Sequence, residues 1–153
     1  MTQVVEPKSQ LNDLYDRDLN LWLENTIEQL QAGDLQDLDI ENLIEELQGL
    51  SGRDRHEVEN RLIRLIEHIL KRCYGNMSNC FRGWEVTIVG QRDRLRRKLK
   101  QSPSLKRYLM QSFDECFLSA LELVRTEYPE IYFPDAWQFD RDLDVILSAK
   151  FWS

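Results

Sequence analysis

The sequence predicts an all-α protein, a single-domain bundle of five or six helices, on three observations. Apolar residues recur at steps of three and four along most of the chain. Period-two alternation of strand type appears at no useful length. Turn and cap signals fall between the periodic segments rather than within short alternating runs. The chain has 153 residues, 42% of them hydrophobic and 31% charged, with only 6 glycines and 4 prolines. That balance supports a real core and excludes collagen-like, low-complexity and wholly disordered chains.

The first element covers residues 13–32, where Leu14, Leu19, Leu21, Trp22, Leu23, Ile27 and Leu30 form an amphipathic helix and Gly33 supplies its C-terminal cap. Asp39 opens a shorter helix with Ile40, Leu43, Ile44, Leu47 and Leu50, interrupted by Gly49 and Gly52. Ser51-Gly52-Arg53-Asp54 has the form of a capping box and starts a third helix over 53–74, striped by Val58, Leu62, Leu65, Ile66, Ile69 and Cys73. Gly75-Asn76-Met77-Ser78-Asn79 reads as a loop. The fourth helix covers 81–101, with Trp84, Ile88, Leu95 and Leu99 on its seam. Ser102-Pro103 places a cap and a first-turn proline at the head of a fifth helix over 103–128. Pro129 and Pro134 bracket an aromatic connection, and a short last helix over 140–149 carries Leu143, Ile146 and Leu147. Residues 1–10 read as a flexible N-terminus ahead of one domain over 11–153.

Several classes are disfavoured. No cationic patch followed by an apolar run marks an export signal at the start, and no stretch approaches the roughly 18 apolar residues of a membrane span. Cys73, Cys80 and Cys116 are odd in number and form no C-x-x-C pair, so reduced thiols in the cytoplasm are expected. Structural zinc needs four ligands at short paired spacings, and none is expected; no cofactor motif is present either. No nucleophile elbow or phosphate-binding glycine loop occurs.

Charge is segregated. Residues 11–50 carry eleven acids and one base, net -10; residues 51–107 carry net +9 and residues 108–153 net -6, within a total of -7. The plain reading is complementary rims between helices, with solvated faces. The basic run Arg92 to Lys100 scatters around its helix at about 100° per residue and lacks interleaved aromatics, so nucleic acid is a disfavoured partner.

A polar thread runs through the apolar seam. Glu59 projects about 60° from Leu62, inside the arc formed by Ile66, Leu70 and Cys73. Gln91 projects between Trp84, Ile88 and Leu95, with Arg92 at the edge, and Glu46 lies at the margin of the second helix. Glu46, Glu59, Gln91 and Arg92 therefore form a candidate internal cluster, with Gln91 or Arg92 as the expected donors to Glu59. The di-metal pattern Glu-x-x-His is absent, because Glu67 adjoins His68. His68 projects to the opposite side, beside Glu57, Arg61 and Arg64.

The residues also carry a resemblance. Asp13-Leu14-Tyr15-Asp16-Arg17-Asp18 through Trp22-Leu23-Glu24, then Asp39 to Leu47, His68-Ile69-Leu70-Lys71, Trp84, Thr87-Ile88, Gln91-Arg92 and Ser102 to Leu105 resemble the bacterial family called domain of unknown function 29. Where that family's pattern reads Lys-Trp before its loop, this chain has Lys71-Arg72. The resemblance implies a small, all-helical, bacterial cytoplasmic protein and no particular reaction, metal or cofactor. Its matched polar residues make His68 and Lys71 a candidate surface site. The function expected is a non-enzymatic interaction or regulatory module with a protein partner, a second copy included, and no membrane. The alternatives are an enzyme with a carboxylate-based site between helices and a weak nucleic-acid binder through residues 92–100.

Overall fold

The computed structural model describes residues 13–153; the N-terminal segment 1–10, expected to be flexible, lies outside the described residues. Among the described residues the structure is helical and contains no strand. Two compact units follow one another along the chain, one ending at Gly52 and one from Arg53 to Ser153.

In the first unit the expected helix over 13–32 is divided. Residues 13–17 are helical, and Asp18 then leaves helical geometry and caps α1, Leu19–Ala32, by accepting from the Leu21 N–H at 3.1 Å. A short acidic side chain that can bond the backbone two or three residues on competes with continuation of the helix. Gly33, at φ 73°, closes α1 in the left-handed conformation that glycine adopts without a Cβ penalty.

The next difference is larger. The two helices expected over 39–50 and 53–74 are one continuous element, α2, Ile40–Tyr74, of 35 residues. Gly49, Ser51 and Gly52 do not break it. A helical glycine costs about 1 kcal/mol against alanine, which flanking turns absorb because propagation adds a bond per residue. The capping box is therefore unused.

In the second unit a 3₁₀ turn, Ser78–Cys80, leads into α3, Phe81–Gln101, which matches its expected span. The fifth expected helix starts two residues late, as α4, Leu105–Glu127; Ser102 and Pro103 form the turn before it, with the Ser102 carbonyl accepting from Leu105 N–H at 3.0 Å. The last helix, α5, keeps only Leu143–Ile146. From Arg53 onward α2 packs with α3 and α4 around Leu62, Leu65, Ile66, Ile69, Ile88, Leu95, Leu109, Phe113 and Val124, all essentially buried. Trp137 closes one end of this core edge-on against Phe113 and Phe117. Ion pairs tie the helix rims: Arg72 to Glu85 at 2.6 Å, and Lys98 to Asp54 at 3.0 Å.

Candidate functional site

The four residues expected to form one internal cluster each take separate partners. Glu46, in the first unit, accepts from the Tyr15 phenol at 2.9 Å, and this bond to a carboxylate pushes the phenol up to about 12. Glu59 is half-buried and accepts from the Tyr108 phenol on α4 at 2.6 Å. Gln91 accepts from Arg61 at 3.3 Å. Arg92 donates from Nε to the Ile146 carbonyl at 3.0 Å and from Nη2 to the Ala149 carbonyl at 2.6 Å.

Tyr108 takes the place of Gln91 and Arg92, the donors expected at Glu59. Glu59 lies on the side of α2 that meets α4, whereas Arg61 carries the contact with Gln91 of α3. A projection of single helices gives each side chain's direction but not which neighbour lies there. Arg92, joined by Arg96 on the Leu147 carbonyl, satisfies backbone carbonyls at the last residue of α5 and just beyond it. Those carbonyls would otherwise need further helical turns, which accounts for the shortness of α5.

The expected surface placement of His68 and Lys71 is also corrected. His68 is 6% exposed and Lys71 is 4% exposed. The Lys71 stem lies beside Trp84 and Tyr128, with Nζ 5.8 and 6.0 Å from their ring centroids. Its ammonium reaches Glu127 at 2.9 Å and Glu67 at 3.3 Å. A long cationic side chain can bury its methylenes in this way while its head meets carboxylates at the margin. His68 Nδ1 lies 2.8 Å from the Arg64 carbonyl and so carries the proton of the neutral ring, which donates to it. Burial pulls its pKa below the ordinary 6.5, the nearby Lys71 adding in the same direction.

Other groups are held in unreactive forms. Burial pushes the Cys73 and Cys116 thiols up to about 11, which keeps both protonated at neutral pH. Among the described residues no group of three or more His, Cys, Asp or Glu is placed to hold a metal ion. Along the basic run, Arg97 pairs with Asp93 at 3.2 Å, and Lys98 pairs with Asp54, which raises the ammonium's pKa.

What is left open to a partner lies in the first unit. In α1 only Trp22 and Thr26 are buried. Trp22 Nε1 donates to Asp39 at 3.2 Å, and Asp39 also accepts from the Asn42 side-chain amide at 2.7 Å. Beside that contact Leu19, Leu23, Ile27 and Leu30 form an arc spanning about 80° of the helix surface. All four are exposed, Ile27 by 51%. The α2 segment ending at Gly52 repeats the pattern: Ile40, Ile44, Leu47 and Leu50 share one arc and are exposed, Leu47 by 57%. These are the apolar positions by which the sequence predicts the two helices, and in the structure they are exposed.

An all-helical protein with an acidic segment whose apolar stripes face solvent is the class that fold and surface define. The chain belongs to the family described as domain of unknown function DUF29, whose profile matches residues 14–152. No curated protein and no solved structure matches it.

Proposed function

We propose that the chain is a protein-interaction module whose acidic N-terminal unit takes up a basic amphipathic helix of a partner protein. The observation that carries this reading is the pair of exposed apolar arcs, Leu19-Leu23-Ile27-Leu30 and Ile40-Ile44-Leu47-Leu50. Apolar side chains exposed along one face of a helix in this way mark interaction surfaces. Helices that dock in such sites present anchors at the same three- and four-residue steps. Net charge selects the partner: residues 11–50 carry -10. Like charge opposes pairing of two copies through this unit, while lysines and arginines flanking leucines complement it. The setting proposed is the bacterial cytoplasm, on the resemblance and on thiols expected to be reduced.

The test uses two labelled synthetic helices with identical leucine spacing, one with lysine and one with glutamate at the polar positions, in fluorescence anisotropy. The lysine peptide should bind saturably and the glutamate peptide should not. Ile27→Asp with Ile44→Asp should weaken binding by about tenfold or more. Equal binding by the double variant, or no binding, overturns the reading. A dimer that the same substitutions dissociate would make a second copy the occupant and would also overturn it.

A further inference from the structure

We propose that a cavity between the polar edge of α2 and Gln91 of α3 binds the phosphate group of a small phosphorylated molecule. The cavity, about 420 Å³, lies wholly in the second unit. That volume falls in the range of small-molecule sites. Arg53, His56, Asn60 and Arg64 line it from α2 at steps of three and four, and Arg61 lines it from beside Asn60.

The lining is rich in donors and poor in competing charge. Glu57 is its acid, and that carboxylate is already engaged by Arg61 Nε at 3.1 Å and Lys98 Nζ at 3.6 Å. Arg61 is held from two sides, because its Nη1 also donates to Gln91 Oε1 at 3.3 Å. A guanidinium fixed in this way loses little freedom when it meets an anion. Arg64 makes no side-chain hydrogen bond or ion pair among the described residues.

Gln91 points to a ligand independently of the arginines. It is 7% exposed, lines the cavity, and its amide oxygen is occupied by Arg61. The amide nitrogen therefore carries two N–H donors with no protein partner among the described residues, left over for a ligand in the cavity that the side chain lines. A phosphate offers only acceptors, matches the arginine fork, and carries up to two charges where a carboxylate carries one. The uncommitted guanidinium of Arg64 beside the fixed Arg61, against one neutralised acid, favours the doubly charged group.

The experiment is calorimetric titration of the full chain with glucose 6-phosphate, inorganic phosphate and glucose. The two phosphates should bind saturably and compete, and glucose should not bind. The Asn60 and Gln91 side-chain amide signals should shift in NMR spectra at saturation. Arg64→Gln should weaken binding by about fivefold or more. Arg94→Gln, which removes the same charge from an exposed position outside the cavity, should leave it unchanged. Absence of saturation, equal weakening by both variants, or binding of a polynucleotide alone would overturn the proposal.

Discussion

At Glu59 the structure replaces one hydrogen-bond partner with another, and the energetic consequence moves with it. Tyr108, not Gln91, completes the carboxylate. Tyr108→Phe should therefore destabilise the protein by about 0.5–1 kcal/mol in urea unfolding, the low end because solvent reaches the pair. Tyr108→Phe with Glu59→Leu should cost less than the two single changes together. Gln91→Leu should show no such coupling to Glu59. His68 gives a pH signature. Its folded pKa lies below the unfolded value near 6.5. The unfolded chain therefore takes up a proton first as pH falls. Stability contributed by the neutral ring is full above 6.5 and is lost as pH drops from there through the lower folded value. Thermal midpoints measured across that window should decline, and His68→Gln should flatten the decline.

Among the elements, α3 and the C-terminal cap at Gly33 were legible in full, because periodicity and cap chemistry agree there. The fusion of two expected helices into α2 was not. Glycine and a Ser-x-x-Asp pattern state a local preference, and no proline enforces it. Glycines of the same residue type therefore have opposite roles. At Gly52 an added Cβ meets nothing within 4 Å, so Gly52→Ala should stabilise by about 0.5–1 kcal/mol. At Gly75 the Cβ would sit 2.4 Å from the Lys71 carbonyl and 3.1 Å from the Trp84 ring. Neither neighbour can give cheaply, since the carbonyl is backbone and Trp84 flanks the buried Lys71. Gly75→Ala should cost about 2 kcal/mol. Denaturant midpoints of the two variants, moving in opposite directions, check both statements. Glu57, Arg61 and Arg64 were legible as one polar side of α2, but not as a site. Only the facing Gln91 turns that side into a cavity lining, and a facing residue is a tertiary fact.

For the whole molecule, segregation of charge was readable from the sequence, and its use was not. Basic residues of α2 and α3 are largely spent on neighbours: Arg72 on Glu85, Arg92 and Arg96 on carbonyls, Lys98 on Asp54. Acids of residues 11–50 instead surround apolar arcs that the sequence alone could assign only to a core. The account turns on those arcs being uncovered in the free protein. The most direct measurement is the unfolding free energy of Ile27→Gln with Ile44→Gln, glutamine keeping helix propensity near that of isoleucine. If the arcs await a partner, the double variant stays within about 0.5 kcal/mol of the parent, at every protein concentration. A loss of about 2 kcal/mol or more at each site would show that the protein already buries both residues, and would contradict the interaction surface.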